Sequence, residues 1–194
     1  MAARGAPSGV VLAGGLGARI GGGKAMVELN GRPLISYPCE ALLQAVGEVV
    51  ILAKADTELP SLPGVTVWVE PQMPRHPLIG VMHAIGMAEG RPVVVCALDL
   101  PFVTPQLLRR LAGTDPGQAP AVIATASGRT QPLLGCYRPA TIDLIRQAGL
   151  APDVPVLEAI GAIGALLLEV DPLCLFNVNS PDDLLQAAAM LDRF

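Results

Sequence analysis

The sequence predicts an α/β fold of the three-layer, doubly wound type, in which helices cover both faces of a mostly parallel sheet. Short runs rich in β-branched residues alternate with helical stretches along the chain, and this order is typical of repeated βαβ units. The runs lack polar alternation, which indicates strands buried on both faces. The first predicted strands are 9–13, 49–52, 65–69 and 93–98.

Local sequence signals for the starts and ends of helices and strands predict the other elements. Further strands are predicted over 121–126 and 132–136, and helices over 33–46, 78–88, 104–112 and 140–148. Thr104 is the expected N-cap of its helix, and Pro105 takes the first helical position, where a missing N–H costs nothing. Ser180 opens a final helix, with Asp182 and Asp183 at the positive end of the helix dipole.

Composition narrows the range of functions. The 194 residues carry a net charge of 13 − 17 = −4, with 52% hydrophobic, 15% charged and 3% aromatic residues. The length predicts one domain over 1–194, and the apolar content excludes disorder for most of the chain. The acidic balance argues against duplex DNA, and the few aromatics argue against a platform for single strands. We therefore expect no nucleic-acid partner.

The chain also predicts no membrane partner. Glycine, proline or charge interrupts every apolar stretch before it reaches the roughly 18 residues that a spanning helix requires. Residues 1–8 lack the apolar core of a signal peptide. We therefore expect a cytoplasmic protein.

Neither the cysteines nor the histidines form a metal-site pattern. The four cysteines lie far apart without a C-x-x-C pair, which excludes zinc-site and thioredoxin readings and favours small buried residues. His76 and His83 have no third ligand at metal-site spacing, so we expect loop or helix-surface positions for them. The cysteines are Cys39, Cys96, Cys136 and Cys174.

A glycine-rich loop follows the first predicted strand. Residues 12–24 contain six glycines together with Arg19 and Lys24. In an α/β sheet this is the carboxyl end of a strand, where ligands bind and glycines let backbone N–H groups approach an anion. The chemistry indicates a phosphate loop with two cations, and the alternative is a flexible connection whose cations are solvated.

The spacing excludes two common phosphate loops. A Walker A loop requires glycine where Ala18 stands, and Ser or Thr where Ala25 follows the lysine. The dinucleotide pattern G-x-G-x-x-G fails because it ends on Ile20. What remains is a longer loop of another kind.

Three polar side chains lie next to other predicted elements. Asp99 comes directly after the most apolar strand, so its carboxylate is expected at the same edge as the loop, where it could bind magnesium. Its alternative role is to cap the turn before Pro101. Asn177 and Asn179 precede the final helix, where turn and cap chemistry explains them locally.

The loop carries a resemblance to a known family. Residues 12–25 resemble the signature loop of the molybdenum cofactor guanylyltransferases, within a wider superfamily of nucleotidyltransferases. The short spacing from Arg19 to Lys24 favours this family over sugar-phosphate nucleotidyltransferases, which have similar loops. Further landmarks follow in the family's order over nearly the whole chain, namely 28–35, 77–80, 99–102, 132–137 and 176–184.

The resemblance implies a Rossmann-like nucleotidyltransferase fold and a reaction. The terminal phosphate of molybdenum-molybdopterin attacks the α-phosphorus of GTP in line, and magnesium pyrophosphate leaves. No protein nucleophile is needed, because catalysis consists of positioning and charge stabilisation. The implied cofactor is Mg²⁺, the implied substrates are GTP and molybdopterin, and transient contact with molybdoenzyme-maturation proteins is expected.

The resemblance also assigns the site residues. Arg19, Lys24 and Asp99 are the implied catalytic residues, with Asp99 as the metal ligand. Asn177 and Asn179 are implied near the acceptor and the phosphates. The implied nucleotide-binding residues are Leu12, Ala13, Gly14, Gly15, Lys24, Glu70, Gly80 and Asp99.

The first loop favours guanine. CTP-using relatives tend to carry Leu-Ala-Ala-Gly where this chain has Leu-Ala-Gly-Gly at 12–15, and 77–80 matches the guanylyl family's P-L-x-G. Three positions depart from the family pattern. Lys54 follows the second strand, where Asn is common, Glu70 replaces the usual Asp, and His76 replaces a common glycine.

Three alternatives remain open. A solvated surface position is expected for Lys54, Arg129 and Arg138, although each could meet the acceptor. The enzyme could be a sister transferase that uses CTP or another phosphorylated acceptor, such as cobinamide phosphate or a sugar phosphate. The third alternative is not an enzyme but a non-catalytic nucleotide-binding or adaptor protein. The joint presence of Arg19, Lys24 and Asp99 counts against it.

Overall fold

The computed structural model describes residues 5–14, 23–72, 76–147 and 156–192. A central sheet of seven strands and a separate two-stranded hairpin account for its strands. The hairpin consists of β2 (Glu28–Leu29) and β3 (Arg32–Pro33). The sheet strands are β1 (Ser8–Leu12), β4 (Val49–Ala53), β5 (Val65–Val69), β6 (Val93–Ala97), β7 (Ala121–Ala126), β8 (Arg129–Tyr137) and β9 (Leu166–Glu169).

The sheet is mostly parallel, as predicted. Its order is β5-β4-β1-β6-β8-β7-β9. The first four strands of this order run parallel, β8 runs antiparallel to both of its neighbours, and β9 is parallel to β7. Leu12 pairs with both Leu52 and Ala97, so the carboxyl ends of β4, β1 and β6 lie level.

Helices cover both faces of the sheet and produce the predicted three layers. Alternate strand residues face opposite sides, and Val11 and Val10 belong to different core clusters. The helices α1, α3 and α6 pack on one face, and α2, α4 and α5 pack on the other. Their bounds are α1 (Ser36–Val46), α2 (Pro77–Met87), α3 (Pro105–Gly113), α4 (Thr141–Gln147), α5 (Val156–Ala162) and α6 (Pro181–Leu191).

The predicted burial on both faces is confirmed for three strands and wrong for a fourth. Every residue of β4 and β6 is buried, and four of the five residues of β1 are buried. In β5, however, Val67 is 52% and Val69 57% exposed. The reason is that β5 forms the edge of the sheet, so an apolar sequence alone does not report whether a strand has neighbours on both sides.

The chain between the glycine loop and α1 differs from the prediction. A helix was expected over 33–46, but Pro33 lies in the β2–β3 hairpin and α1 begins at Ser36. Asn30 and Gly31 form the hairpin turn with φ of 50° and 73°, the left-handed conformation that a two-residue hairpin turn requires. Packing anchors the hairpin, because Leu29 is buried and its carbonyl accepts a 2.7 Å hydrogen bond from the Tyr37 hydroxyl.

The helix N-termini follow the predicted capping chemistry. Thr104 Oγ1 accepts a hydrogen bond from the Leu107 N–H at 3.2 Å, and Ser180 Oγ accepts from the Asp183 N–H at 3.1 Å. His76 caps α2, where its Nδ1 accepts from the Leu78 N–H at 3.2 Å. This is a local structural role of the kind expected for that histidine.

Three short elements between α4 and α6 were not predicted from the sequence. These are α5, β9 and a 3₁₀ turn at Pro172–Leu175 that Asp171 caps. Each has at most seven residues, which is too few for a hydrophobic period to stand out. In the part of the chain that the structure describes, no helix is both long and apolar enough to cross a bilayer.

The four cysteines are free and buried, as the sequence predicted. Burial raises the pKa of the Cys39 thiol to about 12 and that of Cys136 to about 11. It also raises the pKa of Cys174, and that of Cys96 well above its usual range. Little reactive thiolate is therefore present near neutral pH.

We predict that a thiol reagent such as Ellman's reagent reacts with native protein at pH 8 at least tenfold more slowly than with free cysteine. Unfolding in guanidinium chloride should release four reactive thiols per chain. Rapid labelling of one thiol in native protein would contradict this burial.

Candidate active site

Four parallel strands deliver polar or small residues to one edge of the sheet. Gly14 lies two residues beyond the end of β1, and Asp99 lies two residues beyond the end of β6. Lys54 and Glu70 directly follow β4 and β5, which are also neighbours. The carboxyl edge of a doubly wound sheet is where ligands bind, so this edge is the candidate site.

An ion pair lies at the centre of the edge. Lys24 Nζ is 2.7 Å from Asp99 Oδ2, and the side chains are only 10% and 15% exposed. Lys24 begins a 3₁₀ turn after Gly23, whose φ of 55° is left-handed. The buried Ala25 anchors this turn in the core. The structure thus brings together two of the three predicted catalytic residues.

The two predicted asparagines complete the same cluster. Asn179 Oδ1 accepts a 2.7 Å hydrogen bond from Lys24 Nζ. Asn177 Nδ2 donates a 3.3 Å hydrogen bond to Asp99 Oδ1. Between them, the Val178 N–H donates to the Asp99 carbonyl at 3.0 Å. The segment before α6 is therefore joined to the turn after β6 through backbone and side chains.

Packing and capping hold the asparagine segment in place. Phe102 and Phe176 meet edge to face with ring centroids 5.7 Å apart, a favourable aromatic geometry. Asp183 Oδ2 accepts a 2.9 Å hydrogen bond from the Asn179 N–H. That hydrogen bond is the main reason that the pKa of Asp183 is lowered. The negative charge of Asp183 thus fixes the backbone of a site residue.

A second ion pair lies beside Gly14. Lys54 Nζ is 3.3 Å from Glu70 Oε1, and both side chains are 8% exposed. Lys54 also donates to the Pro71 carbonyl. A Cβ added to Gly14 would lie 2.0 Å from Glu70 Oε1, and one added to Gly80 would lie 3.4 Å from Oε2. Both glycines thus leave room for the carboxylate.

The expectation of a solvated surface position is wrong for Lys54. Its side chain is buried, and the Glu70 carboxylate and the Pro71 carbonyl provide its amino group with partners. Arg129 is exposed, as expected, at the end of β8 that pairs with the carboxyl end of β7. Arg138 lies at the opposite edge and donates to the Gly117 carbonyl.

Sequence reasoning also missed Gln131. Its Nε2 donates a 3.0 Å hydrogen bond to Asn177 Oδ1. The available signal was an amide directly before the apolar run 132–137, a position where a buried polar group needs a partner. Two predicted site residues, Gly15 and Arg19, lie outside the described residues.

The backbone of Leu12 and Ala13 continues the sheet toward the site. The Leu12 carbonyl accepts from the Leu98 N–H at 3.3 Å, and the Ala13 N–H donates to the Leu52 carbonyl at 2.8 Å. Gly14 is therefore the first residue of the predicted nucleotide loop beyond these pairings, and it lies directly against Glu70.

The side chains at the first ion pair suit a metal ion whose coordination shell is completed by substrate oxygens. In the described part of the chain, no three His, Cys, Asp or Glu side chains cluster as a metal site. Asp99 provides one carboxylate, with two amides beside it. Magnesium commonly binds through one or two carboxylates, with substrate phosphates and waters completing its shell.

Comparison with known proteins gives matches over most of the chain. The model of the MobA-like NTP transferase domain matches residues 9–159. The molybdenum cofactor guanylyltransferase of Cereibacter sphaeroides is 32% identical over 190 residues, which cover 95% of this chain and 97% of that protein.

Solved structures share the fold at lower sequence identity. Molybdopterin-guanine dinucleotide biosynthesis protein A from Archaeoglobus fulgidus is 24% identical with a TM-score of 0.74, and the match covers 96% of this chain and all of that one. The 2-C-methyl-D-erythritol 4-phosphate cytidylyltransferase of Thermus thermophilus is 20% identical with a TM-score of 0.66, over 96% and 99% of the two chains. These likenesses confirm the predicted nucleotidyltransferase fold.

The family model covers most of the chain, and a relative that is 32% identical matches 95% of it. Gly14 and the Lys24–Asp99 ion pair lie at the same carboxyl edge of the sheet. This chain is therefore a nucleotidyltransferase and belongs to the MobA-like NTP transferase family.

Proposed function

We propose that this enzyme transfers GMP from GTP to the terminal phosphate of molybdenum-molybdopterin, releasing pyrophosphate and forming the guanine dinucleotide of the cofactor. The observation that carries the proposal is the cluster of Lys24, Asp99, Asn177 and Asn179 at the carboxyl edge. Relatives at about this chain's full length are named molybdenum cofactor guanylyltransferases. Together they favour this reaction over other nucleotidyl transfers.

The charge balance of the site supports a metal-assisted reaction. The two described ion pairs cancel, since Lys24 and Lys54 face Asp99 and Glu70. They therefore supply no net positive charge for a triphosphate. We propose that a bound cation and Arg19 of the glycine loop supply the positive charge that the triphosphate needs.

We propose Mg²⁺ as that cation, with Asp99 as its protein ligand. When bound, the ion would neutralise charge on the triphosphate oxygens and on the leaving pyrophosphate. Asp99 is suited to this role because its carboxylate is partly exposed and is oriented by donors on both oxygens. The carboxylate therefore needs little reorientation to bind a cation.

Lys24 is suited to stabilise the transition state. Its ammonium group carries three N–H donors, of which Asp99 Oδ2 and Asn179 Oδ1 take two in this structure. A phosphoryl oxygen can take the third donor or replace one of these partners. As charge spreads over the phosphoryl oxygens, the fixed ammonium group stabilises it without reorganisation.

The second ion pair is suited to read guanine. The Watson–Crick edge of guanine has two N–H donor groups beside one carbonyl acceptor. The Glu70 carboxylate can accept from those donors, and Lys54 can donate to the carbonyl, with the two groups 3.3 Å apart. Cytosine presents one donor group and two acceptors, so a carboxylate matches it less well.

A cytidylyltransferase is the second candidate, because such an enzyme shares this fold. The fold alone does not separate the two nucleotides, whereas the buried Glu70 carboxylate favours GTP. Pyrophosphate release should be measured with GTP and CTP and with each acceptor class. Release with CTP but not with GTP would overturn the proposal.

We predict that Asp99→Asn and Lys24→Met each lower kcat by about 100- to 1000-fold. The first removes the charge of the proposed metal ligand, and the second removes the ammonium group that would stabilise charge on the phosphoryl oxygens. Pyrophosphate release at saturating GTP measures the effect. Asp143→Asn, which changes an exposed carboxylate on α4 paired with Arg146, should keep activity within twofold. An Asp99→Asn enzyme that turns over at the normal rate would contradict the metal assignment.

We predict that Glu70→Gln lowers kcat/KM for GTP by about 10- to 100-fold, because a charged hydrogen-bond acceptor is lost. The loss should be smaller for CTP, so the ratio of the two constants measures base recognition. Circular dichroism separates this effect from unfolding. Glu158→Gln on α5, an exposed glutamate, is the control and should leave the ratio unchanged.

We predict that Gly14→Ala weakens GTP binding at least tenfold, because the new methyl group would overlap Glu70 and separate it from Lys54. Titration of the protein with GTP measures this. Gly86→Ala on α2 meets no atom within 4 Å and should stabilise the protein by about 0.5–1 kcal/mol. Normal GTP affinity in Gly14→Ala would show that Glu70 does not read the base.

A further inference from the structure

Gln131 lies where β8 departs from regular pairing. Ile123 pairs with Gly135, but the next residue, Ala124, pairs with Gln131. Residues 132–134 therefore form an irregularity on the β7 side of the strand. Such bulges re-aim side chains near functional sites, and this one places the Gln131 amide against Asn177.

The hydrogen bonds from the bulge to Asp99 run in one direction. The Leu133 N–H donates to Gln131 Oε1 at 3.4 Å. Gln131 Nε2 then donates to Asn177 Oδ1 at 3.0 Å, and Asn177 Nδ2 donates to Asp99 Oδ1 at 3.3 Å. A backbone N–H can only donate, and a carboxylate can only accept, so both ends of this series have a set polarity.

We propose that Gln131 is a positioning residue that sets the amide orientation of Asn177, and through it the orientation of the Asp99 carboxylate. The proposal deepens the proposed function, on which it rests. With its oxygen held by Gln131, Asn177 turns its N–H toward Asp99. Asn177 thus supports the carboxylate as a donor, and it does not offer its own oxygen to a cation.

The arrangement leaves Asp99 held from two sides. Lys24 donates to Oδ2 and Asn177 donates to Oδ1. If Asn177 turned over, its oxygen would face Asp99 Oδ1, and two acceptors would repel each other. Gln131 prevents that turn, because its own amide is oriented by the Leu133 N–H.

Two substitutions separate this role from simple packing. Gln131→Met keeps the length of the side chain but removes both hydrogen bonds. Gln131→Glu keeps the acceptor for Leu133 but replaces the donor with an acceptor, which draws the Asn177 N–H away from Asp99. A packing role predicts that both variants behave alike, whereas an orienting role predicts that the glutamate variant is the more impaired.

Two measurements test the proposal on the full-length protein. The first is kcat and KM for GTP, and the second is Mn²⁺ affinity measured by electron paramagnetic resonance with and without GTP. Gln131→Met should lower kcat about tenfold and weaken Mn²⁺ binding about fivefold, with KM for GTP within twofold. Gln131→Glu should lower kcat at least threefold further.

Gln186→Met and Gln186→Glu change an exposed glutamine on α6 and should match the wild type in both measurements. Normal kcat and Mn²⁺ affinity in both Gln131 variants would overturn the proposal while leaving GMP transfer intact. If the wild type transferred no GMP, the proposed function would fail, and Mn²⁺ affinity would still decide the role of Gln131.

Discussion

The level parallel pairing of β1 with β4 and β6 is the constraint on which the site depends. Leu12 pairs with Leu52 on one side and with Ala97 on the other, so the chain leaves all three strands at the same height. A shift of one residue would also turn every side chain to the opposite face. The alternate burial of Val10 and Val11 in two different cores opposes such a shift. Core packing thus sets the height at which Gly14 and Asp99 emerge.

Two ion pairs lie at different positions along this edge. Lys24 and Asp99 lie beyond the central strands, next to the asparagine segment. Lys54 and Glu70 lie toward the edge strand β5, against Gly14 and Gly80. We propose phosphate and metal chemistry for the first pair and recognition of the base for the second. A nucleotide that bridges them would lie across the end of β1.

Much of this could be predicted from the sequence, because it rests on local signals. Apolar strands, the caps at Thr104 and Ser180, and the residues before and after the central strands are all legible in one dimension. The burial of Lys54 and the edge position of β5 could not be predicted, since both depend on which elements become neighbours in the fold. The role of Gln131 could not be predicted for the same reason, because its partner Asn177 lies 46 positions away in the sequence.

The β2–β3 hairpin has a mechanical consequence for Lys24. Asn30 Nδ2 in the hairpin turn donates a 3.0 Å hydrogen bond to Asp192 Oδ1, just beyond the end of α6, while Asn179 at the other end of that helix holds the lysine. The helix therefore braces the lysine-bearing segment at two points roughly three helical turns apart. Leu29 is packed in the core as well, so the chain that follows Lys24 is also held in place. The ammonium group of Lys24 thus keeps its place at the carboxyl edge of the sheet.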